Sequence, residues 1–157
     1  MSARGSTAAA GRASVDLVVA LRNARDLIDR RFAEPLDLDA MADAAGYARH
    51  YFAHRFREVF GQTPRRYLTG RRIERACDLL RNANLTVTEI CMLVGFSSVG
   101  SFSSRFSTVM GCSPVEYRKR SHVAGAAAIP GCFVLAWAGR TTANTASPEK
   151  PPAASRA

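Results

Sequence analysis

His50 and His54 stand four residues apart, and Glu58 follows four further on. On a helix that spacing puts three ligand-type side chains along one face, and two imidazoles one turn apart can share a metal ion. The residue after His50 is Tyr51, where the H-E-x-x-H motif of a metalloprotease needs its general base. No Ser/His/Asp order, Gly-rich phosphate loop or carboxylate pair stands with them. The sequence therefore predicts no enzyme, no resident metal and no cofactor. Cys77, Cys91, Cys112 and Cys132 contain no C-x-x-C pair, so the expectation is buried, reduced thiols in a cytoplasmic protein.

The abundant chemistry is cationic. The chain has 157 residues, a net charge of +9 and a pI near 10.3. All but Lys119 and Lys150 of its 22 cations are Arg. The planar guanidinium makes bidentate bonds to phosphate and to guanine, where Lys offers a point charge. An anionic polymer or surface is thus the first partner to expect. Apolar residues at 47% are enough for a folded core. The apolar run from Val123 to Ala138 is broken at Pro130-Gly131 and falls short of the ~20 residues of a membrane helix. Ahead of Asp16 lie Arg4 and Arg12 and no acid, a weak match to a transit peptide. There is no apolar core of a secretion signal.

The elements that position these groups read as helices. Residues 1–14 predict a disordered Ala/Gly/Ser arm. Ser14 caps a helix over about 15–32, with Leu17, Leu21, Ala24 and Ile28 as its apolar stripe. Helices follow over about 38–45, 49–60, 64–82, 87–94, 99–110 and 114–121. Asp37, Thr63, Thr86 and Ser113 stand before four of them, and Gly46, Gly61, Gly95 and Gly111 after four. Nothing alternates with period two, so the expected fold is all-α with seven helices. Residues 122–157 predict an Ala/Pro/Gly-rich tail with an apolar island at 129–137, for which packing on the domain, a partner or no role all stay open.

The helical part is written twice. Gly46-Tyr47 recurs as Gly95-Phe96. Phe52, Arg55, Phe56, Val59, Gly61, Pro64 and Tyr67 recur fifty positions on as Phe102, Arg105, Phe106, Val109, Gly111, Pro114 and Tyr117. A small residue, Ala42 or Cys91, precedes each turn glycine by four, which lets two helices cross closely. Each copy is a short helix, a turn and a longer helix with paired Phe, the layout of a helix-turn-helix. With Phe52 inward, a rotation of about 100° per residue sets Phe56 and Val59 beside it and turns His50, His54 and Arg57 outward, with Ala53 at the edge. The same rotation about Phe102 turns out Gly100, Ser103, Ser104, Ser107 and Thr108, a face read as uncharged. Val99 and Ser101 sit at that helix's start.

Gly95-Phe96-Ser97-Ser98, Ser101-Phe102-Ser103, Arg105-Phe106, Gly111-Cys112-Ser113-Pro114 and Tyr117-Arg118 resemble the signature of the AraC/XylS family of bacterial transcription regulators. Leu36-Asp37-Leu38, Met41-Ala42, Ala45-Gly46-Tyr47 and Arg71 to Ala76 extend the resemblance over about residues 15–120. It implies a first helix-turn-helix at about 38–60, a linker helix at about 64–82 and a second helix-turn-helix at about 86–110. Each would lay its second helix in the major groove of double-stranded DNA. The family's base-reading positions fall on His50, Ala53 and His54 in the first unit, with Arg57 beside them. In the second they fall among Val99, Gly100, Ser101, Ser103 and Ser104. Ser104 departs from the Arg often found there, so the first unit is expected to discriminate and the second to fix register.

Arg49, Arg65, Arg66, Arg72 and Ser98 are the expected phosphate contacts. Arg71 is expected to pair with Glu74 or Asp78, and Arg118, Lys119 and Arg120 add a basic cluster. Residues 49–75 hold eight Arg against two Glu, and residues 76–117 two Arg against three acids, so the cationic footprint lies on the first unit and the linker. A linker helix of about 18 residues spans roughly 27 Å, enough to set two reading helices near one DNA turn apart. The resemblance also implies an activator with RNA polymerase as a second partner, acting in the cytoplasm at the nucleoid. Only 14 residues precede the first predicted helix, so no effector domain and no small-molecule effector are expected in this chain, and no membrane association. The competing reading is a low-specificity, nucleoid-like DNA-binding protein.

Overall fold

Asp37, Thr63, Thr86, Ser98 and Ser113 each place a side-chain oxygen before an apolar-periodic segment. Each accepts a hydrogen bond from the backbone N–H three residues on, at 2.8–3.3 Å. A cap of this kind satisfies one of the four donors that a helix start leaves open. The computed structural model describes residues 5–122 and 129–130, with side chains from 14 to 121. Its helices are α1 Gly5–Arg31, α2 Leu38–Ala45, α3 Arg49–Phe60, α4 Pro64–Asn82, α5 Val87–Leu93, α6 Val99–Met110 and α7 Pro114–His122. Two-residue strands β1 (Ala83–Asn84) and β2 (Ile129–Pro130) pair in parallel, Ala83 opposite Ile129.

The core has two lobes. In the first, Leu17, Leu21, Ala24 and Ile28 of α1 meet Met41, Ala42, Ala45, Phe52, Phe56 and Leu68. In the second, Ile73, Ala76, Cys77, Leu79 and Leu80 of α4 meet Ile90, Cys91, Val94, Phe102 and Phe106. Helix α4 therefore serves both lobes, giving Leu68 to one and Ile73 onward to the other. The Phe pairs repeat in space as in sequence. Phe52 and Phe56 have ring centroids 5.5 Å apart, and Phe102 and Phe106 5.7 Å. Tyr67 and Tyr117 each set a ring edge against the second Phe, at 5.9 and 5.5 Å.

Two expectations are corrected. Helix α1 begins at Gly5, so Ser14 lies within the helix and does not cap its start. Ala8, Ala9, Ala10 and Ala13, the residue type of highest intrinsic helix propensity, favour its extension past Ser14. Val59 and Val109 are not buried with the Phe pairs but are 42% and 54% exposed. Phe60, one step round the helix, takes the inward place instead, with its centroid 4.6 Å from that of Phe56. The all-α, seven-helix expectation holds, and the β1–β2 pair adds to it a contact between distant segments that no period-two pattern announces. Cys77, Cys91 and Cys112 are buried and free. Residues 1–4, Cys132 and the rest of the island and tail lie outside the described residues.

Candidate nucleic-acid interface

The turn that aims each second helix is built from backbone. Gly46 has φ +71°, in the left-handed region where a Cβ is strained. Its N–H donates to Asp43 O, and the Tyr47 N–H donates to Ala42 O at 3.1 Å. In the second unit the Gly95 N–H donates to Met92 O and the Phe96 N–H to Cys91 O at 3.0 Å. Ala42 and Cys91 are both fully buried at these crossings. The two copies thus share one turn chemistry and one helix crossing.

On α3 the structure exposes His50, His54 and Arg57 together and leaves Ala53 half-buried at the edge. His54 Nε2 lies 3.1 Å from Glu58 Oε1, and Arg55 Nη1 donates to Glu58 Oε2 at 2.5 Å. Glu58 is therefore held between a histidine and an arginine of its own helix. Among the described residues no three His, Cys, Asp or Glu side chains converge as a metal site. Arg49 opens the helix with Nη1 3.3 Å from Asp39 Oδ2, both side chains more than half exposed. Ala48 before it supplies no side-chain cap.

On α6, Gly100, Ser101 and Ser104 are exposed, and Val99 and Ser103 half-buried. Ser98 is occupied as the cap of this helix. The Thr108 hydroxyl donates to Ser104 O at 2.9 Å. The face is less neutral than its sequence implied, because Arg105 is exposed beside it. Its counterpart in the first unit, Arg55, is held by Glu58, but the residue corresponding to Glu58 is Thr108. Among the described residues no carboxylate lies in ion-pair range of Arg105. The signal was present in the repeat, as a pairing acid exchanged for a hydroxyl.

The cations divide into free and engaged. Arg57, Arg65 and Arg66 are exposed, and among the described residues none sits within 4 Å of a carboxylate. Arg71 pairs with Glu74, as expected, and its Nε also lies 2.9 Å from Asp29 Oδ1. Tyr67 donates to Asp29 at 2.8 Å, and burial, then that bond, push its phenol up to about 12. Arg118 donates to Leu85 O at 2.5 Å, and Arg120 pairs with Glu116.

Arg72 is not on the free face with Arg65 and Arg66. Its Nε donates to Phe32 O at 2.6 Å and its Nη2 to Glu34 O at 2.8 Å. Burial lowers its pKa. Its position on α4 points it at the end of α1 rather than at solvent, which periodicity within α4 alone could not disclose.

A helix-turn-helix domain model matches residues 41–120. An AraC-like transcription regulator of Streptomyces lividans is 42% identical over 79 residues, half of this chain and 26% of that protein. The HTH-type transcriptional activator AarP of Providencia stuartii is 34% identical over 91 residues, 58% of this chain and 67% of AarP. The chain thus covers about a quarter of the first relative's length and two thirds of the second's. Among solved structures, the DNA-binding domain of the global transcriptional factor AdpA in complex with a target DNA aligns with a TM-score of 0.64 at 27% identity. That alignment covers 67% of this chain and 95% of that one. Among the described residues no helix is long and apolar enough to cross a membrane.

Proposed function

This chain belongs to the AraC/XylS family of DNA-binding transcription regulators, and from that premise we propose that it is a sequence-specific activator reading two major-groove segments with α3 and α6. The observation that carries the reading is the twice-built crossing, each copy leaving the outer face of its second helix open to solvent. His50, Ala53, His54 and Arg57 form the first reading face. Val99, Gly100, Ser101, Ser103 and Ser104 form the second. Arg49, Arg57, Arg65, Arg66 and Arg105 stand where they reach phosphate, and Ser98 offers its hydroxyl hydrogen to one. Activation is supported by the likeness to AarP, a transcriptional activator, and it requires a surface for RNA polymerase, as the resemblance implies, in the cytoplasm at the nucleoid.

The first unit carries most of the discrimination, because imidazoles and Arg57 reach base edges that glycine and serines do not. One good base contact is worth about 1–3 kcal/mol. Selection of preferred sites from random duplexes yields the motif. His54→Ala then lowers discrimination by roughly ten-fold, and Ser104→Ala lowers it less. A larger loss with Ser104→Ala refutes the asymmetry. The short hydroxyl-and-glycine face of α6 favours one alternative, a low-specificity nucleoid-like binder. Competition by random-sequence DNA at fixed salt separates the two, since only the alternative loses the labelled duplex to an equal mass of competitor.

A further inference from the structure

The two lobes share α4, with a short stretch of it between their cores. Thr69, Gly70, Arg71 and Arg72 of α4 belong to neither core cluster. A Cβ built on Gly70 would meet nothing within 4 Å. A single shared helix fixes the angle between two lobes less firmly than packed layers do, yet two reading helices on one rigid DNA demand a defined distance and angle.

A second connection exists beside this stretch of α4. The turn after α1 belongs to the first lobe, and its Phe32 and Glu34 carbonyls accept both hydrogen bonds of the Arg72 fork. The same guanidinium lies 5.7 Å from the ring centroid of Phe96, in the helix-turn-helix turn of the second lobe. Next to it Gly95 has φ +90°, and a Cβ there would lie 2.6 Å from Ala33 O. The two turns thus touch backbone to backbone, with no room for a side chain between them. The cation sits just past the C-terminal end of α1, where the helix dipole favours positive charge. Asp29 of α1 also holds Tyr67 and Arg71 of α4, so the α1 end is tied to α4 at more than one point.

We propose that the Phe32–Glu34 turn, Arg72 and the Gly95–Phe96 turn form a latch that fixes α6 relative to α3, making Arg72 and Gly95 the positioning residues that select one separation of two DNA half-sites. The inference rests on the two-site DNA reading above. Arg72 acts here through carbonyls and an aromatic face, and not through phosphate.

The test has two arms. In the first, amide residual dipolar couplings are measured for α3 and α6 in the full chain without DNA. The wild type fits one alignment tensor for both helices. Arg72→Lys keeps the charge but cannot fork to two carbonyls, and Gly95→Ala wedges the turns apart. Each variant is expected to need two tensors while keeping the dispersed spectrum of a folded chain. One shared tensor in both variants overturns the latch. So does loss of dispersion in both, since Arg72 and Gly95 would then hold the fold and not the angle between its halves.

In the second arm, duplexes carrying the selected half-sites at successive separations are bound at fixed salt. The wild type is expected to fall at least ten-fold for one base pair added or removed. The Arg72→Lys profile is expected to flatten to about three-fold, with affinity for a single half-site changed less than two-fold. A uniform drop across all separations with the profile's shape kept overturns the latch in favour of a phosphate contact. A wild type with no preference among duplexes sinks the DNA reading instead, and the first arm still decides whether the latch holds the two lobes.

Discussion

Glu58 and Thr108 occupy the same place in the two copies and do opposite things. Glu58 takes up Arg55 and touches His54, so the first reading helix carries its own neutralising acid. Thr108 bonds back to its own helix and, among the described residues, Arg105 has no acid within ion-pair range. An exchange of one side chain thus moves a cation from the scaffold to the surface. A half-buried phenol makes the second residue-scale case. The Tyr67 phenol is pushed from its ordinary 10.0 up to about 12 by burial and by Asp29. Below pH 10 the phenol is protonated whether the chain is folded or not, and its contribution to stability is complete. As pH rises from 10 toward 12 the unfolded chain ionises first, so that contribution is lost across this window. A tyrosinate absorbance titration is expected to show a late component that Tyr67→Phe removes. An unchanged curve in the variant contradicts the assignment.

At the scale of elements, caps and turn glycines do most of the work of placing the helices. Thr86 and Glu89 form a reciprocal capping box at the start of α5, a helix of only seven residues with little propensity to spare. Thr86→Ala is expected to cost about 1 kcal/mol, read as a lower urea midpoint with an unchanged slope. Gly46 and Gly95 look alike in sequence and differ in surroundings. A Cβ on Gly46 meets open space, whereas one on Gly95 meets the Ala33 carbonyl. Gly46→Ala therefore carries only the left-handed backbone cost of about 1–2 kcal/mol, and Gly95→Ala is expected to cost more in the same urea titration. Equal midpoints for the two variants would mean that the contact with Ala33 yields freely. Helix bounds from α2 to α7 were legible because local signals agree with the apolar periodicity: a side-chain cap before every one but α3, and a left-handed glycine after α2, α3 and α6. The start of α1 was not, because Ala-rich sequence carries no apolar stripe and reads equally well as a tail.

For the whole molecule, charge is the property with the longest reach. The chain is strongly cationic, yet Arg71, Arg72, Arg118 and Arg120 are committed to internal partners. The effective footprint is thus smaller than the net charge of +9 implies. Each phosphate neutralised contributes about 0.9 to the slope of log affinity against log salt. Arg66→Ala is expected to reduce that slope by about one and to weaken all duplexes alike. Arg71→Ala is expected to leave the slope unchanged, since its charge is already paired. A reduced slope for Arg71→Ala would show that the pair with Asp29 opens on DNA.

The repeat, the turn glycines, the caps and the outward set on α3 follow from the order of residues alone. Each depends on contacts within a few positions, and helical rotation converts spacing directly into facing. Where Arg72 points, why Gly95 differs from Gly46 and how a two-residue strand finds its partner depend on segments tens of residues apart. Only packing the end of α1 against α4 brings those carbonyls to a guanidinium, and no period in the chain encodes that meeting.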